Sequence, residues 1–225
     1  SKTFDNGTIC ASEQAIVTEK SIFDCVKKEF IARKAVFLTE EQVASLEKIA
    51  YDSERKLMNA DVVGQPAAKI AKMAGFNVPQ DTSVLIAPLK KVGPESPLSG
   101  EILAPILAFY TVSDFDSATA VCIDLNFYGG TGHTVSIFSN DEEKIRKFSL
   151  MMDAGRICVN MPSSQGAVGG MYNTLEPSFT LGCGTTGKNI TTDNISAKHL
   201  LNIQRITKRR INERMIAFDR NKYFD

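Results

Sequence analysis

Short apolar or β-branched runs alternate along this chain with longer stretches in which apolar residues return every three or four positions. Residues 14–18 (QAIVT), 83–87 (SVLIA), 106–111, 134–138 and 156–160 each predict a strand. Between them, residues 21–33 set Ile22, Cys25, Val26 and Phe30 near one helical face, and 114–125 does the same with Phe115, Ala118 and Cys122. Thr39-Glu40-Glu41-Gln42 reads as a capping box opening a helix with Val43, Leu46 and Ile49 on one stripe. Residues 66–74 predict a short helix closed by Gly75, and Ser139-Asn140-Asp141-Glu142 caps another that carries Ile145, Phe148 and Met152. Residues 162–170 read as a long turn. Residues 196–215 predict an exposed basic helix with Leu200, Ile203 and Ile206 turned inward. The alternation predicts an α/β fold around a largely parallel sheet flanked by helices. No internal repeat, low-complexity tract or clear interdomain linker interrupts it.

Charge changes this picture by exclusion. Twenty-six basic residues balance 26 acidic ones, so no global field draws the chain to nucleic acid or an anionic membrane. No apolar run approaches the ~20 residues that span a bilayer, and residues 1–5 lack the apolar stretch of a signal peptide. The five cysteines are odd in number and widely spaced, without a CxxC or CxxH pair. That argues against a disulfide framework and a structural zinc site, and sets a reduced, cytoplasmic setting as the expectation. His133 and His199 are the only histidines, so a metal would find few nitrogen ligands and none is expected.

Candidate chemistry centres on Phe4-Asp5-Asn6-Gly7-Thr8-Ile9-Cys10-Ala11-Ser12. Gly7 permits a tight bend three residues before the thiol, and Ala11 and Ser12 leave room around the sulfur. A thiol in a turn, with backbone N–H groups near, suits covalent catalysis; core packing is the competing account of any one cysteine. His133, between a glycine pair and an apolar strand, is either a satisfied half-buried histidine or an imidazole that tunes Cys10. His199 is assigned to structure. Glu101 is either a first-turn helix residue or a carboxylate placed to accept the hydroxyls of a ribose. The loop 162–166 is either plain surface or the lining of a substrate channel. Gly182-Cys183-Gly184-Thr185-Thr186-Gly187 matches GxGxxG, but β-branched residues follow it where a dinucleotide fold needs a helix, so it reads better as a glycine turn beside a site.

Taken in order, the segments 4–14 (FDNGTICASEQ), 63–67 (VGQPA), 100–105 (GEILAP), 132–134 (GHT), 154–166 (AGRICVNMPSSQG), 177–184 (PSFTLGCG) and 198–203 (KHLLNI) resemble the aldehyde dehydrogenase superfamily in its CoA-acylating branch. That branch includes the aldehyde half of bifunctional aldehyde–alcohol dehydrogenases and stand-alone acetaldehyde, propionaldehyde and succinate-semialdehyde forms. The resemblance implies that Cys10 is the nucleophile, that His133 is an acid/base in thiol exchange, that Glu101 holds the nicotinamide ribose and that Leu181 lines the nicotinamide pocket. Phe4 and Gly7 fit the superfamily motif; Asn6 sits one place off its common asparagine. It further implies reversible conversion of an aldehyde, CoA and NAD to acyl-CoA and NADH, through a thiohemiacetal and a thioester on Cys10. The expected partners are a small aldehyde or acyl-CoA, with a homo-oligomeric parent and neither nucleic acid nor membrane. In this family a cofactor domain precedes the nucleophile. The chain is therefore expected to be a catalytic (thiol) domain over 1–185, with 186–225 packing back on a missing cofactor domain and little NAD-linked turnover by itself. A hydrolytic aldehyde dehydrogenase, a non-catalytic assembly module and a Cys/His acyltransferase without redox stand as the alternatives.

Overall fold

The computed structural model describes residues 1–52, 55 and 57–222. The elements in chain order are β1 (Ala15–Glu19), α1 (Phe23–Ala32), β2 (Ala35–Phe37), α2 (Glu40–Ala50), β3 (Tyr51–Asp52), β4 (Leu57–Met58), α3 (Ala67–Met73), β5 (Val84–Pro88), β6 (Ile106–Val112), α4 (Phe115–Gly129), β7 (Gly132–Ile137), α5 (Glu142–Met151), β8 (Ala154–Val159), α6 (Ser163–Val168) and α7 (Glu213–Ile216).

Four strands form a sheet in the order β1-β6-β5-β2, every neighbouring pair parallel. Its inner strands are apolar on both faces, as a sheet covered on both sides requires. Leu85, Ala87 and Ile106 face α2 and α3 in one buried cluster with Leu46, Ala50 and Ile70. Val84, Ile86, Leu107 and Phe109 face the other way, onto Phe23, Val26 and Phe30 of α1. Phe109 meets Phe23, Phe30 and Phe37 edge-on at 5.3–6.3 Å between ring centroids, the arrangement aromatic quadrupoles favour. A second, two-stranded parallel pair, β7 with β8, packs Ile137 against Phe148 and Met152 of the α5 layer. β3 and β4 form a small antiparallel pair.

The capping box at Thr39 is formed, with Thr39 Oγ1 accepting from Gln42 N and Gln42 Oε1 from Thr39 N. Asp141 caps α5 through two backbone amides, and Asp114 caps α4 through Ser117 N. Four expectations need correction. Helix α1 starts at Phe23, leaving Ile22 and Cys25 exposed rather than on the buried face. The supposed turn 162–170 contains α6, because Glu13 Oε1 accepts from Ser163 N and anchors the first turn from 150 residues away. Glu101 lies in an irregular segment before β6, not in the first turn of a helix. The basic helix over 196–215 does not form: a 3-10 turn spans Ala197–Leu200, 201–212 has no regular structure, and Leu200, Ile203 and Ile206 are exposed. With Arg205, Lys208 and Arg209 at helical spacing, like charges would repel, and no surface takes the apolar stripe.

Residues 188–200 fold back on the preceding segment. Leu181 bridges Asn194, and the buried Asn194 side chain donates to the carbonyls of Ala167 and Glu176. From residue 200 on, every residue whose exposure is described is exposed. Among the described residues no helix is long and apolar enough to cross a membrane.

Candidate active site

A left-handed turn presents Cys10. Asp5, Asn6 and Gly7 have φ of 47°, 49° and 76°, which reverse the chain within three residues. At Gly7 only glycine fits, since a Cβ would stand 2.7 Å from the Ala104 carbonyl oxygen. Asn6 Nδ2 donates to the Gly64 carbonyl, and Gly64 N donates to Leu103 O. The buried Lys2 ammonium donates to Ile102 O (2.7 Å) and Gln14 Oε1 (2.8 Å), and Gln14 Oε1 also accepts from Ile102 N. The Cys10 loop is thus tied, largely by the side chains of Lys2 and Gln14, to the main chain of 101–104, the segment that carries Glu101.

His133 arrives from β7. Gly132, at φ 90°, lets that strand begin against the Cys183 carbonyl, which a Cβ would meet at 2.0 Å. The result is a contact of 3.2 Å between His133 Nε2 and Cys10 Sγ. Cys10, Glu101 and His133 open on one cavity of about 1080 Å³, whose wall also includes Thr134, Ser163 and Cys183. Cys10 is exposed to it and forms no disulfide. Leu181 is not brought into that cavity; it is half-buried and lines a separate pocket of about 280 Å³ with Gly182, Asn189 and Thr191. His199 lies elsewhere, with Nδ1 accepting from Ser196 N and Nε2 3.1 Å from Asp193 Oδ2.

Burial works against charge on the thiol, the imidazole and the carboxylate alike. Burial, then the Glu101 carboxylate, pushes the Cys10 thiol above its ordinary value, while the amides of Cys10 and Ala11 that face the sulfur pull it back. Burial, then the Arg156 guanidinium, lowers His133. Burial also raises Glu101, against the opposing pull of Lys2. Burial brings Lys2 itself down to about 7. The glycine-rich stretch is a turn: Gly182 and Gly187 sit where a Cβ would strike Thr191 O and Cys183 Cβ, and no helix follows. The loop at 162–166 offers no free donor at Ser163, whose N–H is held by Glu13 and whose hydroxyl donates to Ala11 O.

Arg156 is the site residue that sequence reasoning missed. It is buried and gives five hydrogen bonds: to Thr134 Oγ1, His133 O, Gly182 O, Thr192 O and Asn194 Oδ1. No carboxylate pairs with it among the described residues. The one available signal was a charged residue inside the otherwise apolar strand run 156–160.

No protein-family model matches the chain. It is 41% identical over 228 residues to an aldehyde-alcohol dehydrogenase of Clostridium acetobutylicum, a match that takes in all of this chain and 26% of that protein. Among solved structures, a probable aldehyde dehydrogenase of Listeria monocytogenes superposes with a TM-score of 0.90 at 42% identity, over 96% of this chain and 47% of that one. An acetylating aldehyde dehydrogenase of Geobacillus thermoglucosidasius gives 0.85 at 40% identity, over 93% and 47%. The chain therefore spans about a quarter of the length of the first and just under half of the other two.

Proposed function

We propose that this chain, a homologue along its whole length of acetylating aldehyde dehydrogenases and of the aldehyde half of aldehyde–alcohol dehydrogenases, is the thiol-bearing part of a CoA-acylating aldehyde dehydrogenase. The observation that carries the reading is the 3.2 Å contact between Cys10 Sγ and His133 Nε2 at the wall of a large cavity that Glu101 shares. In this proposal the Cys10 sulfur bonds to the carbonyl carbon of a small aldehyde, giving a thiohemiacetal. The Cys10 and Ala11 amides, which already face the sulfur, supply donors beside the developing oxyanion. The thioester that follows is resolved by the thiol of CoA, and the reverse sequence starts from acyl-CoA.

NAD, when bound, supplies hydride acceptance. Glu101 fits its ribose: the carboxylate opens on the cavity and accepts no hydrogen bond from a described residue, so its lone pairs are available to a diol. Leu181 is carried as a further nicotinamide contact on the resemblance alone. The described residues contain no strand-to-helix glycine turn that would hold a pyrophosphate, so we assign most of NAD binding to polypeptide other than these residues. The exposed segment 201–222 is the part we assign to contact with that polypeptide, in a cytoplasmic and homo-oligomeric parent.

Acylation of the chain by acetyl-CoA tests the thiol chemistry without any redox step. Site-resolved mass spectrometry is expected to find the acetyl group on Cys10 and to lose it in Cys10→Ser. Acetylation of Cys10 no greater than that of Cys122 would sink the proposal. NADH formation from an aldehyde and CoA by these residues alone would overturn the assignment of NAD binding.

A further inference from the structure

We infer that Arg156 and Thr134 act as positioning residues that fix the proton of His133 on Nε2, making the imidazole a hydrogen-bond donor to the Cys10 sulfur rather than its base. The inference rests on the reading just given and adds the direction of the proton.

Three contacts carry it, together with where the Thr134 hydroxyl hydrogen can find an acceptor. Arg156 Nε carries a hydrogen and no lone pair, so at 3.2 Å it donates to Thr134 Oγ1. Thr134 Oγ1 stands 2.9 Å from His133 Nδ1, and its own hydrogen has no other acceptor among the described residues. With that hydrogen directed at Nδ1, Nδ1 is the acceptor. In a neutral imidazole the remaining hydrogen then lies on Nε2, which faces Cys10 Sγ at 3.2 Å. The guanidinium itself cannot swing away: its other nitrogens hold four more acceptors, including the His133 carbonyl. The Arg156 guanidinium and the Cys10 thiol act on the imidazole directly, and Lys2, Glu13, Glu101 and Cys183 line the same cavity. The guanidinium disfavours a second proton on the ring, which keeps it in the neutral form to which this assignment applies.

The chemical consequence is specific. A neutral ring with hydrogen on Nε2 has no lone pair toward the sulfur, so it does not deprotonate Cys10. It steadies the thiolate once formed. It does the same when an incoming thiol resolves a Cys10 thioester: the new carbon–sulfur bond forms, the bond to Cys10 breaks, Cys10 leaves as a thiolate accepting from Nε2–H, and the incoming thiol's proton goes to solvent.

The test compares Thr134→Val, which keeps shape and removes the hydroxyl, with Thr134→Ser, which restores it. Long-range proton–nitrogen NMR on the uniformly labelled chain reads the tautomer, and with only two histidines the assignment is direct. Wild type and Thr134→Ser are expected to show hydrogen on Nε2, with Thr134→Val moving to a mixture. Cys10 alkylation by iodoacetamide, followed from pH 6 to pH 10 with Cys25 as the exposed control, should show a raised thiol pKa in Thr134→Val. The rate at pH 7.5 should fall about tenfold, the worth of one pKa unit, with Thr134→Ser within about twofold of wild type. Hydrogen on Nδ1 in wild type, or a Thr134→Val chain with wild-type tautomer and alkylation profile, would overturn the inference. If Cys10 takes no acetyl group from acetyl-CoA, the functional reading falls instead, while the tautomer measurement still decides this one.

Discussion

Glu101 and Cys10 share a cavity wall, and the carboxylate's field makes the thiol harder to ionise. Replacing Glu101 by Gln removes that charge, lowers the Cys10 pKa and should speed alkylation at neutral pH by about threefold, the worth of half a pKa unit. A stopped-flow rate equal to or slower than wild type would contradict it. Lys2 gives a stability prediction of definite sign. Its folded pKa, about 7, lies below the ordinary 10.5, so between those values the unfolded chain binds the extra proton. Stability should therefore rise from pH 7 to pH 10.5 and be flat in this respect below 7. Lys2→Met should flatten the rise of the urea midpoint across that window. Cys10, His133 and Glu101 were legible as candidates because each is a reactive type within three residues of a glycine. Arg156 was not, because its partners Gly182, Thr192 and Asn194 lie 26 to 38 positions away in sequence, and Thr134 takes its meaning only from Arg156, 22 positions on.

Strands and helices follow the apolar rhythm wherever an element buries its apolar face. β5 and β6 were readable as continuous apolar runs because both faces are covered, and α2 because its cap and stripe agree. The rhythm misled at 196–215, where the stripe meets no partner, and at α6, whose first turn depends on Glu13 from a distant loop. Two element-scale predictions follow from packing. Phe109→Ala removes the hub of four edge-on rings at the centre of the sheet and should cost about 3–5 kcal/mol in urea unfolding. A loss under about 1 kcal/mol would mean the ring cluster contributes little. Gly132→Ala puts a methyl into the Cys183 carbonyl at a φ of 90°, so the start of β7 must shift and carry His133 with it. Cys10 alkylation at pH 7.5 should then depart from wild type by severalfold, while Gly129→Ala, with open space around its Cβ, should leave it unchanged.

At the scale of the molecule, the α/β body ends near residue 200 and an exposed strip follows. Its apolar residues, Leu201, Ile203, Ile206, Ile211 and Ile216, face solvent in the isolated chain. Limited proteolysis should cut first within 201–222, and a chain ending at residue 200 should keep its melting temperature within about 2 °C. Protection of that strip, or a collapse of the melting temperature on removing it, would show that it packs on this body. The close approach of Gly7 to Ala104, with Lys2 clasping Ile102, has one more consequence. The separation between sulfur and carboxylate is gauged by the Gly7–Ala104 peptide contact and by the Lys2 and Gln14 side chains that hold Ile102. Phe115 and Val135 line the same chamber but take no part in that clasp, so exchanging them would change its lining and leave the spacing of sulfur and carboxylate in place.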